Sequence, residues 1–166
     1  YNPAVDELYS YDMDAAAALL EEAGYPGGAG LSFEIIYPSG FADMKAGSEM
    51  IQAAMTELGA DVTVTELELA TWSDRLVNTF DFDMSWDIRS RGLGDPAVLY
   101  SEATFYTPSE KNITGLMTGQ MPEYEELLAA GAGEFDFETR RDIYADVQQL
   151  WAETLPGYVV ARRALA

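Results

Sequence analysis

Arg89 and Arg91 are the residues whose type and spacing suggest binding chemistry most directly. They are two positions apart, and they follow a segment with the alternation of a β-strand. If strand geometry continues, both side chains point to the same side. A guanidinium group binds a carboxylate or a phosphate through two parallel hydrogen bonds. The pair therefore predicts contact with an anionic ligand, unless the two charges only neutralise Asp87 and Asp95.

The composition removes most catalytic and metal-binding chemistry. The 166 residues include no Cys and no His, which excludes disulfides, thiolate catalysis, Ser-His-Asp triads and the usual zinc sites. Neighbouring glutamates such as Glu66 and Glu68 are more typical of solvated faces than of acid–base pairs. We therefore expect no catalytic residue, no metal site and no cofactor, with a carboxylate-based hydrolase as the less favoured alternative.

The charge balance is strongly acidic. Nine Lys and Arg stand against 29 Asp and Glu, which gives a net charge of −20. Such a surface repels phosphate backbones and anionic membranes, so nucleic acid is not expected as a partner. Repulsion between carboxylates predicts stability that rises with salt. A protein from a saline habitat and an acidic exported protein without salt adaptation fit this composition equally well.

Helices and strands alternate over the first ninety residues, separated by glycine-marked turns. Residues 1–10 are expected to form an extended arm that docks by its aromatic rings. A phase shift between Val64 and Leu67 predicts a bulge or an early end in the second strand. Alternation of this kind is typical of parallel βαβ units. The predicted elements are helices over 14–23, 42–58 and 70–79, and strands over 31–37, 61–69 and 80–88. Leu19, Leu20 and Ala23 are predicted to form the apolar face of the first helix.

The later part of the chain is less regular and mostly helical. Asp95-Pro96 and Pro122 have the residue types of helix starts. A long helix is predicted over 138–155, and a short last strand over 158–160. No run reaches the roughly 18 apolar residues of a membrane span. The stripe of the long helix comprises Ile143, Val147, Leu150, Trp151 and Leu155.

Six motifs occur in an order that resembles one protein family. The first is the helix Y-D-M-D-A-A-A-A-L-L-E-E-A-G-Y at 11–25. The others are Trp72 followed by D-F-D-M at 81–84, Asp95-Pro96, the N-I-T-G segment at 112–115, P-E-Y-E-E-L-L at 122–128, and the stretch 138–158. This order is similar to the C-terminal lobe of the family 5 extracellular solute-binding proteins, the dipeptide and oligopeptide binders of ABC importers.

The resemblance implies a single α/β lobe over 1–166, of the type II periplasmic-binding-protein kind, with a mostly parallel sheet flanked by helices. It implies the ligand-binding lobe of a larger two-lobed protein whose N-terminal lobe is missing from this chain. The whole protein is expected in the periplasm or outside the cell, either free or tethered to the membrane. It would capture a peptide, a peptide-like compound or another small polar solute and deliver it to ABC permease subunits.

The same resemblance implies where the ligand binds. In open α/β sheets, ligands lie beyond the carboxyl ends of the strands. Trp86 can stack on a ligand, although its phase with Met84 and Ile88 favours packing in the core. Trp72 lies beside Leu76 on a helix, which also favours packing. The implied ligand-binding residues, in three loops, are Ser39, Gly40, Trp72, Trp86, Asp87, Arg89 and Arg91.

One position departs from the peptide-binding pattern. Peptide binders of this family often carry W-x-x-D-Y-x-x-P in the third loop, with an Asp that pairs with a peptide amino terminus. Counted back from Pro96, that position is Gly92. Dipeptide or oligopeptide specificity is therefore in doubt, and a ligand with exposed anionic groups is favoured. The alternative function is a sensor or docking module of the same fold that signals to a protein partner.

Overall fold

The computed structural model describes residues 2–87, 96–99, 121–155 and 157. The chain divides into two compact units, one of residues 11–90 and one of residues 1–10 with 91–166. We name them the α/β unit and the helical unit. Arg89, Arg91, the predicted cap Asp95, the N-I-T-G motif and the predicted strand over 158–160 lie outside the described residues.

The α/β unit is built on a parallel sheet. Its strands are β1 (Ser32–Pro38), β2 (Asp61–Leu67) and β3 (Met84–Ser85), in the order β2-β1-β3. The β1–β2 register runs without interruption from Ser32↔Asp61 to Pro38↔Leu67. The second strand therefore ends early and has no bulge, one of the two outcomes that the phase shift predicted.

Three helices belong to this unit, namely α1 (Met13–Glu22), α2 (Ala42–Glu57) and α3 (Leu69–Asp74). Asp12 caps α1 by accepting from the Ala15 amide at 2.9 Å. A π-helical turn, Arg75–Thr79, continues α3 and ends at Phe80, which has a left-handed backbone conformation (φ 52°). A turn of 3-10 helix, Pro26–Gly28, precedes β1.

Successive side chains of each strand point to opposite faces of the sheet, and helices cover both faces. Ile35 and Val62 lie in a cluster on one face with Ala60, against which Ile51 and Met55 of α2 pack. On α3 and the turn after it, Trp72 and Leu76 are buried, and α3 packs against β1. Since both faces are covered, the consecutive residues Ile35 and Ile36 of β1 are both fully buried.

Two predictions in this unit were wrong. The third strand was predicted over 80–88, but β3 contains only Met84 and Ser85, because the left-handed turn at Phe80 delays the return to extended backbone. Leu19 was assigned to the buried stripe of α1, but it is 62% exposed. Every residue of α1 is described and none is buried, so the helix rests on the unit only through partly covered residues such as Leu20.

Two glycines close the edge of the sheet at which β1 and β2 begin. Gly28 and Gly59 have positive φ values of 70° and 90°. A Cβ atom at Gly28 would collide with the carbonyl oxygen of Leu58, and one at Gly59 with that of Gly27. The turns before β1 and β2 are therefore in direct backbone contact, which only glycine permits at either position.

The helical unit contains α4 (Pro96–Leu99), α5 (Pro122–Gly133) and α6 (Phe137–Thr154). Its core comprises Tyr124, Leu128, Tyr144 and Val147. Leu155 was predicted to lie in the apolar stripe of this helix, but it ends α6 with a positive φ and is 44% exposed.

The start of the chain belongs to this helical unit. Where we expected an extended arm, Pro3–Glu7 form a 3-10 helix that Asn2 caps. The segment docks on α6 through Asn2, whose backbone amide donates to Gln148 at 3.0 Å and whose side chain donates to the Ala145 carbonyl at 3.2 Å. Among the described helices, none is long and apolar enough to cross a membrane.

Candidate functional site

The carboxyl ends of the three strands meet at one edge of the α/β unit, which we call the carboxyl edge. The backbone amide of Ser39 donates to the Leu67 carbonyl at 2.7 Å and ties the end of β1 to the end of β2. The amide of Trp86 donates to the Ile36 carbonyl at 3.2 Å and ties the end of β3 to β1. This edge therefore brings Ser39, Gly40, Trp86 and Asp87 to the same end of the sheet.

Gly40, in the first loop at this edge, has open space beside it. Gly40 has a φ of +87°, and a Cβ placed on it would meet no atom of the structure within 4 Å. The chain then enters α2 through Phe41, which provides no side-chain cap for that helix. The positive φ of Gly40 shapes the loop from Ser39 to Phe41, and the space beside Gly40 is open.

Trp86 uses its ring and its indole N–H inside the unit. The ring lies against Gly47 of α2, so closely that a Cβ there would come within 2.5 Å of it. The indole N–H donates to the Ser48 hydroxyl at 2.7 Å, and that hydroxyl donates to the Met44 carbonyl at 2.9 Å. Ser48 is fully buried. These contacts favour the packing role for Trp86, and stacking on a ligand stays a prediction.

Trp72 is held in a similar way from the opposite face. It is only 9% exposed, and its indole N–H donates to the Ser85 hydroxyl at 3.0 Å. Ser85 in turn donates to the Trp86 carbonyl at 3.0 Å. Trp72 therefore supports the end of β3 from beneath. Asp87, which follows Trp86 in the chain, is half-buried at the carboxyl edge.

Glu66 lies at the carboxyl edge, and the sequence predicted for it only a place on a solvated face. It accepts a hydrogen bond of 3.1 Å from the hydroxyl of Tyr37, its partner in the β1–β2 register. Burial, and next the hydrogen bond to Glu66, raise the pKa of Tyr37 above 10.0. The strand pairing would have revealed this contact, because parallel partners on one face are neighbours.

Arg75 forms a separate polar cluster on the α3 face. Its guanidinium group contacts Glu34 at 2.6 Å and Asp81 at 3.2 Å, and Glu34 also accepts from the Thr65 hydroxyl at 2.5 Å. The hydrogen bonds from Arg75 and then Thr65 lower the pKa of Glu34 below 4.5. Glu34 is four residues before the end of β1, about 13 Å from the carboxyl edge. The cluster thus ties α3 to the sheet at a distance from the ligand loops.

The helical unit carries an acidic groove between α5 and α6. Its volume is about 240 Å³, and it is widely open to solvent. Within the described parts of the chain, no group of three or more carboxylates is arranged to hold a metal ion. The groove is lined by Glu123, Leu127, Asp146, Gln149, Leu150 and Glu153.

Comparison with known families identifies this arrangement. The family model described as bacterial extracellular solute-binding proteins, family 5 middle region, matches residues 1–111. The chain belongs to this family. The family membership confirms the resemblance predicted from the six motifs, and it makes the chain part of a group of extracellular solute-binding proteins.

Solved structures agree on the fold. A periplasmic oligopeptide-binding protein of Borrelia burgdorferi is 25% identical with a TM-score of 0.74, over 89% of this chain and 30% of that one. The murein tripeptide binding protein of Escherichia coli is 24% identical with a TM-score of 0.71, over 87% and 27%. The binding protein AgaA of A. tumefaciens R10, in complex with agropinic acid, is 21% identical with a TM-score of 0.79, over 94% and 31%.

These likenesses confirm the predicted type II periplasmic-binding-protein fold, an α/β arrangement with a parallel sheet flanked by helices. The chain spans about 30% of the length of the Borrelia burgdorferi structure and of the AgaA structure. The search of curated proteins found no match.

Proposed function

We propose that this chain is the C-terminal lobe of the substrate-binding component of an ABC importer. In this proposal the whole protein captures a solute in the cleft between two lobes and delivers it to membrane permease subunits. The observation that supports it most is the match of residues 1–111 to the family 5 solute-binding model. The site of action would be the periplasm or the cell exterior.

The carboxyl edge is the proposed ligand surface of this lobe. Ser39, Gly40 and Asp87 are at this edge, and the sequence continues directly into Arg89 and Arg91. In open parallel sheets, ligands bind in the crevice beyond the strand ends. Trp72 and Trp86 would then support this surface from within the unit, where both indole N–H groups are bonded.

The proposed ligand is a peptide-like or other small polar solute with an exposed anionic group. Two guanidinium groups two positions apart in the sequence suit a carboxylate bound through paired hydrogen bonds. The absence of an Asp at Gly92 removes a partner for a free amino terminus. The matched structures include binders of an oligopeptide, a murein tripeptide and agropinic acid, a range that is compatible with such a ligand.

Native mass spectrometry of the full-length parent protein, purified without added ligand, tests this proposal. Two-lobed clamps that close over a ligand bury most of its surface. We expect a bound small mass that is lost on denaturation and that carries an acidic group. The isolated chain should bind the same compound far more weakly, because only part of the contact area is available while the ordering cost remains.

A pair of arginine variants makes the test specific. Arg91→Ala should remove the bound mass. Arg141→Ala is the matched control, since Arg141 is an exposed residue of α6 engaged with Glu138 and Asp142. A protein that stays free of ligand through a panel of peptides and organic acids would overturn the proposal and favour a docking module. Equal loss in both variants would instead overturn the role of Arg91.

A further inference from the structure

The end of β3 has very little backbone support. The strand contains two residues, paired with β1 at Ile35↔Met84 and Ile36↔Ser85. One further backbone bond, from the Trp86 amide to the Ile36 carbonyl at 3.2 Å, extends the pairing. A strand this short fixes the direction of the following chain poorly, because few hydrogen bonds resist its rotation.

Side chains from both faces of the sheet converge on this strand end. From the α3 face, the Trp72 indole N–H donates to the Ser85 hydroxyl at 3.0 Å, and Ser85 donates to the Trp86 carbonyl at 3.0 Å. From the α2 face, the Trp86 indole N–H donates to Ser48 at 2.7 Å, and Ser48 donates to the Met44 carbonyl at 2.9 Å. Each serine hydroxyl therefore accepts one bond and donates another.

We propose that Ser85 and Ser48, with the two tryptophans that they bond, are positioning residues for the ligand loop. They clamp Trp86, the residue at which the chain leaves β3, and Asp87 of the third predicted ligand loop follows it directly. The proposal deepens the proposed function and rests on it for the identity of the loop as a ligand contact. Together the four side chains form a clamp from α3 through β3 to α2, which we call the indole–serine clamp.

The residue types fit this role better than they fit simple core filling. A buried hydroxyl is costly unless it is bonded, and Ser48 is the buried polar residue that the described core contains. Gly47 adds space for the Trp86 ring against α2. An apolar pair of similar size would pack equally well, but it would leave the orientation of the Trp86 carbonyl and indole undefined.

Hydrogen exchange of the full-length parent protein, read by mass spectrometry, tests the clamp without any ligand. In Ser85→Ala, amides of residues 84–87 should exchange about fivefold faster, the effect expected from losing one typical hydrogen bond. Amides of β2 should be unchanged, which separates a local from a global effect. Ser85→Thr keeps the hydroxyl and should restore slow exchange. The matched control is Ser32→Ala, at the exposed start of β1.

Binding of trialanine, measured by calorimetry on the same variants, connects the clamp to function. Ser85→Ala should weaken binding about fivefold, and Ser32→Ala should leave it unchanged. Unchanged exchange in Ser85→Ala would overturn the clamp, as would faster exchange with unaltered binding. If the unaltered protein does not bind trialanine, that result counts against peptide capture, and the exchange data still decide whether the clamp exists.

Discussion

Gly47→Ala should destabilise the protein although alanine is the better helix former. Gly47 lies within α2, and its α-hydrogen faces the Trp86 ring. A Cβ at this position would be 2.5 Å from Cζ2 and 2.6 Å from Cη2 of Trp86. The ring cannot retreat freely, because its N–H is bonded to the buried Ser48 at 2.7 Å.

Two opposing terms set the size of the effect. Replacing glycine by alanine inside a helix stabilises the protein by about 0.8–1.0 kcal/mol through helix propensity. Inserting one methyl group into a close-packed contact costs about 1–3 kcal/mol. The overpacking term is larger here because the neighbour is a rigid bonded ring. We expect a net loss of about 1 kcal/mol, which lowers the melting temperature of a chain of this size by about 2–4 °C.

Urea denaturation of Gly47→Ala and Gly133→Ala measures this difference. Gly133 is the last residue of α5, and a Cβ there would meet nothing within 4 Å. Its replacement should therefore stabilise the protein by up to about 0.5–1 kcal/mol. The two variants should shift the midpoint in opposite directions. If Gly47→Ala stabilised the protein as much as the control, the packing of Trp86 on α2 would be refuted.

Three further outcomes follow from charges and caps. Arg75 and Thr65 lower the pKa of Glu34 below 4.5. The stabilising contribution of Glu34 is therefore complete above pH 4.5 and is lost as the pH falls through the lowered pKa. In acid titrations followed by circular dichroism, Glu34→Gln should lose less stability over this range than the unaltered protein. With a net charge of −20, the melting temperature should rise from low to molar salt in calorimetry, and a flat profile would contradict it. Asp136 accepts from the Thr139 amide at 2.9 Å, so Asp136→Ala should cost about 1 kcal/mol in urea denaturation, with Asp136→Asn nearly neutral.

Helix limits could be predicted within one residue because their signals are local. Asp12 caps α1, Gly59 follows α2 directly after its C-cap, and Asp136 caps α6. Each of these residues acts on backbone groups within a few positions of itself. The parallel sheet followed from the order of the elements, since short links between alternating helices and strands leave few other arrangements.

The side-chain contacts that hold the α/β unit together join residues distant in sequence. Arg75 pairs with Glu34, 41 residues away, and Trp86 with Ser48, 38 residues away. No local pattern distinguishes a bonded serine or glutamate from a solvated one. The length of β3 was mispredicted because the alternation of Phe82, Met84 and Trp86 extends on both sides of the two residues that pair with β1, and because a left-handed turn at Phe80 lies inside the predicted strand.

The two glycines in contact at the edge where β1 and β2 begin limit how such a lobe can change during evolution. Gly28 and Gly59 bring two turns into backbone contact, so an inserted residue in either turn would force the other away and misalign β1 with β2. The loop at Gly40 has open space beside it and no such constraint. We therefore expect length variation among relatives to concentrate at the carboxyl edge, the proposed ligand surface, while the opposite end keeps the strands in register.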